Sequence, residues 1–480
     1  MIDESLPVEA SWLAATLGAP LSGDATARAG RCETDSRNAG AGSVFVALRG
    51  ERVDGHDFIE TAIKAGSRIV LAGETSWRER ASRLNPALAA VGAAAVLVPD
   101  PLAALQKAGA AWRGRFPGLE RVGVTGSSGK TTTKECLASI MSRFRRTVWN
   151  PGNLNSEIGL PASMFLLRES HEVGVFEMGI NHPGEMEALA AVWAPRVVAV
   201  TNIGTAHIGI LGSRQRIAEE KKRAFSKFGA DGLALVWEDD DFRDFLAKDV
   251  PGTVAFFGPR SSAGFDGATE LGLEGWRISW RGVGFRFPLP GRHNLLDAVA
   301  AAEAAERLGA APADIAEGLA SVKPLFGRSE IVRGTSTVLV DCYNSNPDSA
   351  VKAMELCDGV EWKGRRVYVL GAMLELGEGS AEAHRAVGFA AARSKADAIL
   401  VFGEEARPIY DAAREAGFGG ALEFAERFDE LEAAARRSSR EGDLVLLKAS
   451  RGMALERLVP VIAPGSPSRA GHGQEDRHVP

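Results

Sequence analysis

Short apolar runs alternate along the chain with amphipathic stretches whose apolar positions recur every three or four residues. Runs bounded by Gly, Pro and acidic residues predict buried strands, and the stretches between them predict helices. The predicted strands lie at 43–48, 68–72, 95–100, 173–177, 196–202, 232–236, 338–341, 366–371, 398–403 and 443–448. The predicted helices include 57–65, 100–115 and 294–308, and a more β-like portion covers 251–289. This alternation predicts parallel sheets that are covered by helices on both faces.

The length of the chain sets the number of domains. At 480 residues the chain is too long for one hydrophobic core, and about 150 residues per domain predicts about three domains. The pattern places three α/β domains in series, at 1–99, 100–326 and 327–463. The remaining 464–480 is rich in Gly, Ser, Pro and His and has no periodicity, so we expect a disordered tail there.

Composition excludes several protein classes. With 56 basic and 62 acidic residues the net charge is −6, so no overall positive field favours nucleic acid or an anionic membrane. We find no apolar run long enough to span a bilayer and no basic, apolar leader of the secretory type. The cysteines form no CxxC pair and no metal-like spacing. We therefore expect a cytoplasmic protein with reduced thiols.

The clearest motif is a Gly-rich turn between a predicted strand and a predicted helix, at 126–132. Glycines let backbone N–H groups surround phosphate oxygens, and the helix N-terminus adds partial positive charge. We expect Lys130 to reach the terminal phosphates and the Thr131 hydroxyl to bind Mg²⁺. The usual GxxxxGK[ST] spacing is absent because Val124 stands at its first position, and the upstream glycine is Gly126. An ordinary turn would also place glycines here, but Gly-Lys-Thr-Thr at a strand–helix junction favours nucleotide binding.

Glu177, His207 and Lys221 follow this loop within the same predicted domain. Glu177 ends a predicted strand, His207 follows the next strand, and Lys221 lies on the helix beyond. Ligands of parallel α/β sheets gather at the carboxyl ends of strands, so Glu177 and His207 could hold a divalent cation against the phosphates. The residues alone leave an ordinary structural explanation open. Glu177 could cap a strand, His207 could be a loop residue, and Lys221 and Lys222 could lie on a solvated helix face.

Further polar segments stand in a fixed order around these residues. They are Thr34-Asp-Ser-Arg37, Asp54-Gly-His56, Asn150–Pro161, Gly291-Arg-His-Asn294, Phe326-Gly-Arg328, Asp341–Asp348, Leu370–Gly377 and Lys448-Ala-Ser-Arg451. Taken one by one, His293, Asn294 and Asp341 could be ordinary caps or turn residues. Taken together with the phosphate loop, the segments resemble the Mur ligase family over about 34–451.

The resemblance implies a metal site and three cofactors: ATP, two Mg²⁺ ions and a carbamylated lysine. The family's loop has the form Thr-Gly-x-x-Gly-Lys-Thr, which accounts for the position of Gly126. Its carbamylated lysine is followed four residues later by an aromatic residue, a spacing that Lys221 and Phe225 match and Lys222 does not. The implied Mg²⁺ ligands are Thr131, Glu177, His207 and carbamylated Lys221.

The resemblance also implies roles for the other residues of the site. Ser156, Asp297 and Ala372 depart from the usual family residues, which are Asn or Thr, Asn, and Asp respectively. The implied catalytic residues are Lys130, Glu177, His207, Lys221 and Arg328. The implied ATP-binding residues are Gly126, Ser127, Ser128, Gly129, Lys130, Thr131, Thr132, Asn294, Asp297, Arg328 and Asp341. The implied substrate-binding residues are Asp35, Ser36, Arg37, Asn155, Ser156, Tyr343, Asn344 and Asn346.

The resemblance further implies an ADP-forming amide ligase that works through an acyl phosphate. The most similar branch joins D-alanyl-D-alanine to UDP-N-acetylmuramoyl-tripeptide, the last cytoplasmic step of peptidoglycan precursor synthesis. The first domain would bind the UDP-linked substrate, the central phosphate-loop domain ATP, and the Rossmann-like third domain the dipeptide. We expect a monomer that binds no nucleic acid and does not insert into a membrane.

Other functions remain open at this point. The chain could add another amino acid or dipeptide, although it lacks the Asp-Asn-Pro-Arg motif of the diaminopimelate-adding relatives. A folate-polyglutamate ligase would lack the domain that precedes the phosphate loop. A non-catalytic nucleotide-binding regulator would be favoured by loss of Glu177, His207 or Lys221, and all three are present. A GTPase would carry Asn-Lys-x-Asp, which is missing.

Overall fold

The structure is a computed structural model that describes residues 7–50 and 53–465. Over these residues the chain forms α/β units in series, as the strand–helix alternation predicts. The tail predicted at 464–480 lies outside the described residues except for its first two positions. No helix in the described ranges is both long and apolar enough to cross a bilayer.

The first unit is a mostly parallel sheet with one antiparallel edge strand. The strands stand in the spatial order Leu21–Gly23, Ala94–Val98, Ile69–Gly73, Ser43–Val46 and Arg31–Glu33. Val8–Glu9 pairs separately with Arg28–Ala29, and the helices are Ala10–Leu17, Gly55–Phe58 (3₁₀), Ile59–Ala65 and Glu74–Val91. The helix Glu74–Val91 contains Pro86, which normally predicts a helix end, so the sequence pattern did not reveal it.

The central unit is built on an entirely parallel sheet. Its strands stand in the order Thr253–Phe257, Leu233–Trp237, Val197–Val200, Glu120–Thr125, Val173–Glu177 and Thr147–Trp149. The predicted β-like portion forms an antiparallel sheet of Phe265–Glu270, Trp276–Trp280 and Val283–Phe287. The helices are Pro101–Gly114, Lys130–Met141, Gly159–Met164, Glu185–Trp193, Ile208–Leu211, Arg214–Lys222, Arg243–Ala247, Arg292–Arg307 and Pro312–Ala320, with 3₁₀ turns Arg223–Phe225 and Gly272–Glu274.

The third unit is a second mainly parallel sheet between two helical layers. Its strands stand in the order Glu330–Arg333 (antiparallel), Thr337–Asp341, Leu444–Lys448, Arg366–Gly371, Ala398–Phe402 and Ala421–Ala425. The helices are Pro347–Gly359, Ser380–Ala392, Arg407–Glu415, Phe428–Ser438 and Val459–Ile462, with 3₁₀ turns Gly377–Gly379, Glu404–Ala406, Arg451–Met453 and Leu455–Leu458.

The first and central units are joined through a continuous apolar core. The helix Pro101–Gly114 begins at Asp100, whose carboxylate accepts hydrogen bonds from the first turn of the helix. Trp112 on this helix is buried against Trp12 of the first unit, with ring centroids 5.1 Å apart, and against Phe165 of the central unit. Apolar burial therefore fixes these two units to each other.

Candidate nucleotide and metal site

The phosphate loop lies where the sequence predicts it, between the strand Glu120–Thr125 and the helix Lys130–Met141. Gly126 and Gly129 both have positive φ, at 152° and 80°. A Cβ atom at Gly126 would overlap the Thr201 hydroxyl, and one at Gly129 would overlap the Asp297 carboxyl group. Both positions therefore require glycine for backbone conformation and for space.

Residues after the neighbouring strand Val197–Val200 hold the loop in shape. The Ser127 backbone N–H donates to the Asn202 carbonyl oxygen (2.9 Å), and the Ser128 N–H donates to Asn202 Oδ1 (3.1 Å). The Thr201 hydroxyl donates to the Ser128 carbonyl oxygen at 2.5 Å. The sequence analysis did not include Thr201 and Asn202 in the site. Their position at the end of a predicted strand, beside the phosphate loop, could have predicted their contact with it.

Lys130 is placed among the other predicted catalytic groups. Its Nζ donates to the carbonyl oxygens of Gly126 (3.0 Å) and Ser127 (3.4 Å). Burial lowers the pKa of the Lys130 ammonium and the nearby Arg328 lowers it further, whereas Glu177 and Glu375 act in the opposite direction. Charged groups of both the central and the third unit therefore lie near Lys130, and its catalytic role stays a prediction.

Glu177 is the last residue of its strand and is almost fully buried. The Asn150 side chain binds both its backbone groups: Oδ1 accepts from the Glu177 N–H (2.8 Å) and Nδ2 donates to its carbonyl oxygen (3.1 Å). Asn155 Nδ2 donates to Oε1 at 2.5 Å, while Oε2 has no hydrogen-bond partner among the described residues. A buried carboxylate oxygen without a donor is unfavourable, and a bound cation would satisfy it.

Lys134, one turn further along the phosphate-loop helix, contacts the Asn150 residue that binds the Glu177 backbone. Its fully buried Nζ donates to the Asn150 carbonyl oxygen at 2.8 Å. The helix that begins at Lys130 is thus connected through Asn150 to the backbone of Glu177. No spacing in the sequence predicts this connection, because Lys134 and Asn150 belong to different motifs.

Lys221 lies on the helix Arg214–Lys222 and is 1% exposed. Burial, followed by the charge of Lys130, lowers the pKa of the Lys221 amine well below its usual value, although Glu220 and Glu177 act in the opposite direction. Glu220 Oε1 accepts hydrogen bonds from the backbone N–H groups of Gly184 (2.8 Å) and Met186 (3.0 Å). The helix is therefore anchored to the segment that follows Glu177. The buried surroundings of Lys221 favour a neutral amine.

His207 precedes the helix Ile208–Leu211 and has a positive φ of 59°. Its Nδ1 atom lies 2.8 Å from Oε2 of Glu375 in the third unit. The described part of the chain contains no close group of three or more His, Cys, Asp or Glu side chains that could hold a metal alone. Mg²⁺ is commonly bound by one or two protein ligands together with phosphate oxygens and water. Glu177, with its buried Oε2 left without a partner among the described residues, fits such a ligand, and the metal roles of Thr131, His207 and Lys221 stay predictions.

Arg328 lies at the connection between the central and third units. Its guanidinium stacks over the Tyr343 ring, 4.1 Å from the centroid, and lines a small recess together with Thr132. Asp341 Oδ1 accepts from the Ser329 N–H (3.1 Å), and Oδ2 pairs with Lys448 Nζ (3.0 Å). Asp341 therefore holds the connecting segment that carries Arg328.

Asn294 and Asp297 lie on the helix Arg292–Arg307, both buried. Asn294 Nδ2 donates to the Pro290 carbonyl oxygen at 2.7 Å, which is a local contact at the start of the helix. Its ATP contact stays a prediction. Burial raises the pKa of the Asp297 carboxyl group to about 8, although Lys352, the Thr133 hydroxyl and Arg328 lower it. Burial therefore favours the protonated form of Asp297 beside the phosphate loop.

Replacing Asp297 with Asn should change the pH dependence of stability. The unfolded carboxyl group ionises above its ordinary pKa of 3.8, while the folded group stays protonated up to about 8. Between these values the unfolded state binds fewer protons, so stability falls as pH rises, by at most about 1.4 kcal/mol per pH unit. We expect the melting temperature of Asp297→Asn, relative to wild type, to rise between pH 5 and pH 8. A difference that is constant across this range would contradict the buried, neutral carboxyl group.

Several predicted substrate residues make local contacts. Asp35 and Arg37 pair with each other in a turn that includes Ser36. Ser156 Oγ accepts from the Gly159 N–H (3.2 Å) before the helix Gly159–Met164, and Asn346 Oδ1 accepts from the Ser349 N–H (2.9 Å) as the cap of Pro347–Gly359. The Asn344 carbonyl oxygen accepts from Lys448 Nζ. These contacts give the side chains of Asp35, Arg37, Ser156 and Asn346 a structural role, and the substrate contacts of the whole set stay predictions.

Comparison with protein-family models places matching domains along almost the whole described chain. The model "Mur ligase family, catalytic domain" matches residues 31–113. "Mur ligase middle domain" matches 124–305, and "Mur ligase, glutamate ligase domain" matches 327–451. The three matches follow the first, central and third units in order.

Sequence comparison and structure comparison both find similar proteins along most of the chain. The chain is 43% identical to UDP-N-acetylmuramoyl-tripeptide–D-alanyl-D-alanine ligase of Treponema pallidum (strain Nichols), over 89% of this chain and 92% of that protein. MurF from Acinetobacter baumannii superposes with a TM-score of 0.82 at 29% identity, covering 95% and 99% of the two chains. MurF ligase from Thermotoga maritima, in complex with ADP, superposes with a TM-score of 0.74 at 28% identity, covering 90% and 96%.

Proposed function

The chain belongs to the Mur ligase family, and from this premise we propose that it joins D-alanyl-D-alanine to UDP-N-acetylmuramoyl-tripeptide, with conversion of ATP to ADP and phosphate. The reaction produces the pentapeptide precursor of peptidoglycan. The observation that carries this proposal is the 43% identity to a ligase of this name across 89% of the chain. The convergence of Lys130, Glu177 and Lys221 on one phosphate loop supports an active enzyme rather than a binding scaffold.

The first chemical step activates the carboxylate of the tripeptide. A carboxylate oxygen attacks the γ-phosphorus of ATP, the bond from that phosphorus to the β–γ bridging oxygen breaks, and ADP leaves. Both reactants are anions, so the step requires positive charge and fixed positions. We assign that charge to Lys130 and to Arg328, which reaches the loop from the third unit.

The second step forms the amide bond. The neutral amine of the dipeptide attacks the acyl carbon, a C–N bond forms, and the C–O bond to phosphate breaks. Phosphate therefore leaves with one oxygen of the original carboxylate, and the amine gives up one proton. The third unit already contacts the central unit beside the loop through Thr205 and Asp348, which supports a reaction enclosed between the two units and shielded from water.

Two Mg²⁺ ions belong to the proposal. We assign one to Thr131 and Glu177 and the other to His207 and a carbamate on Lys221, where bound Mg²⁺ would neutralise charge on the phosphates and the acyl group. The unpartnered Glu177 Oε2 supports the first assignment.

We also propose the carbamate itself. A neutral lysine amine attacks CO₂, a C–N bond forms and one proton leaves, so a cation becomes an anion that can bind a metal. Only the neutral amine reacts, and the burial of Lys221 together with the charge of Lys130 favours that form against the opposing charges of Glu220 and Glu177.

The remaining assignments follow the units of the fold. We propose a UDP-substrate domain at 1–99, an ATP-binding domain at 100–326 and a dipeptide-binding domain at 327–463. We also propose that the protein is a monomer. The use of ATP as a substrate supports a cytoplasmic location.

Phosphate release from ATP tests the proposed function. The purified protein is mixed with ATP, Mg²⁺ and UDP-N-acetylmuramoyl-tripeptide, with and without D-alanyl-D-alanine. We expect release that requires both substrates and a pentapeptide product by mass spectrometry. Release only with a free amino acid and a shorter UDP-peptide would make it a sister ligase, and absence of release with every amine would favour a nucleotide-binding regulator.

A further inference from the structure

The edge strand Thr147–Trp149 of the central sheet leads directly into residues 150–155, which we call the acceptor segment. The pairing of this strand with its neighbour ends at Trp149. Beyond that point the fully buried Asn150 side chain continues the pairing, since Oδ1 accepts from the Glu177 backbone N–H and Nδ2 donates to the Glu177 carbonyl oxygen. The course of the acceptor segment therefore depends on where Asn150 is held.

Three further contacts fold the acceptor segment back onto the neighbouring strand. Asn150 Nδ2 donates to the Leu154 carbonyl oxygen at 2.8 Å. Asn155 Nδ2 donates to Glu177 Oε1 at 2.5 Å, and the Asn155 carbonyl oxygen accepts from the Gly179 N–H at 2.9 Å. The predicted substrate residue Asn155 is thus oriented by a set of contacts that begins at Asn150.

The Asn150 backbone carbonyl oxygen receives its hydrogen bond from the phosphate-loop helix Lys130–Met141. A buried carbonyl oxygen requires a donor, and Lys134 Nζ supplies one at 2.8 Å. Lys134 is 0% exposed, and its Nζ also lies 2.8 Å from Glu135 Oε1. Complete burial of a lysine is rare because its polar group loses water, and an apolar side chain would fill such a space at lower cost. The distinctive contribution of Lys134 is therefore its bond to the acceptor segment.

We propose that Lys134 is a positioning residue through which the nucleotide site and the acceptor site are coupled. The helix begins at Lys130, where the phosphates are expected, and Lys134 follows one turn later and binds Asn150. A nucleotide that fixes the helix also fixes the acceptor segment, and the reverse effect is equally large because coupling between two binding sites is reciprocal. The inference rests on the proposed function, because it takes Asn155 as part of the site for the UDP-linked substrate.

Hydrogen exchange in the whole chain, with and without ADP and Mg²⁺, tests this coupling. Mass spectrometry follows the backbone amides of 150–158, and calorimetry gives the ADP dissociation constant so that all variants are compared at saturation. Coupling between sites is typically about 5- to 150-fold, so we expect ADP to slow this exchange at least about fivefold in wild type. In Lys134→Met, which replaces the amine with an apolar side chain, we expect less than about twofold slowing. Lys227→Met changes an exposed lysine of the same unit and should behave as wild type.

Asn150→Ala interrupts the connection one step further on and leaves the phosphate-loop helix intact. This variant loses the side-chain bonds to Leu154 and Glu177 and keeps the backbone carbonyl oxygen that Lys134 binds. We expect an ADP dissociation constant within about threefold of wild type, together with no slowing of exchange in 150–158 by ADP. Asn150→Ala decides the same question if Lys134→Met does not fold.

Binding of UDP-N-acetylmuramoyl-tripeptide measures the reciprocal effect. We expect saturating ADP to lower its dissociation constant at least about fivefold in wild type and less than about twofold in Lys134→Met. Absence of tripeptide binding by wild type would count against the proposed acceptor, whereas hydrogen exchange with ADP alone would still decide the coupling.

Three results would overturn the proposal. Exchange in 150–158 that does not respond to ADP in wild type would show that the two sites are independent. A wild-type response to ADP in Lys134→Met or Asn150→Ala would show that the coupling does not pass through this contact. Exchange that becomes faster in Lys134→Met by the same factor with and without ADP would make the lysine a structural support only.

Discussion

Replacing Lys130 with alanine is expected to abolish turnover without unfolding the protein. The ammonium lies at the start of the phosphate-loop helix, among Glu177 and Arg328, where the transferring phosphoryl group would be bound. Groups that stabilise the charge of a transferring phosphoryl group are worth about 10³-fold or more in rate, so we expect at least that loss in kcat. Burial lowers the pKa of this lysine, so its charge is disfavoured in the folded state, and we expect the variant to fold although it loses the Nζ hydrogen bonds to Gly126 and Ser127.

The control for Lys130→Ala is Lys227→Ala, which removes an exposed lysine of the same unit. Rates of ADP formation and thermal unfolding are measured for both variants and for wild type. We expect wild-type rates in Lys227→Ala and a cooperative unfolding transition in Lys130→Ala, which shows that the inactive variant is folded. Wild-type use of ATP by Lys130→Ala would contradict the assignment of the phosphate loop.

Lys221→Ala is expected to be inactive and to regain part of its activity when a short-chain carboxylate is added. If the lysine acts as a carbamate, its removal takes away an anionic metal ligand, and we expect a loss of about 10³-fold in kcat. The truncated side chain leaves a buried space beside Glu177 and Lys130 that acetate or formate can enter. Either ion would restore a carboxylate at the position of the carbamate.

The adjacent Lys222→Ala is the matched control. Lys222 lies on the same helix, but its Nζ donates to the carbonyl oxygens of Phe245 (2.7 Å) and Lys248 (2.6 Å), away from the phosphate loop. We expect Lys222→Ala to keep its activity and to show no response to acetate. Full activity in Lys221→Ala would refute the role of this lysine, and an inactive variant without rescue by any carboxylate would refute the carbamate.

Local patterns in the sequence predicted most of the fold. The strands Val173–Glu177 and Arg366–Gly371 begin and end where the apolar runs do, because buried parallel strands carry uninterrupted apolar side chains. The helix Glu74–Val91 was missed because Pro86 and a polar first half hide its period. The position of the phosphate loop between a strand and a helix was predicted correctly, since it depends on a short contiguous segment.

The supporting residues of the site could not be predicted in the same way. Asn202, Asn150 and Glu375 act through contacts with residues far away in the sequence, and none of them stands in a motif whose spacing reveals its partner. The partner of Glu375 is fixed only when two units pack together. Asp297 presents the same difficulty, because its raised pKa comes from burial that the sequence does not display.

Transfer of oxygen from substrate to phosphate tests the central claim most directly. UDP-N-acetylmuramoyl-tripeptide is labelled with ¹⁸O in the carboxylate that is to be joined, and the reaction is run with ATP and D-alanyl-D-alanine. An acyl phosphate requires that each phosphate released carries one oxygen from that carboxylate, so mass spectrometry should find one ¹⁸O per phosphate. Phosphate without label, released while the pentapeptide forms, would contradict activation of the carboxylate by ATP at this site.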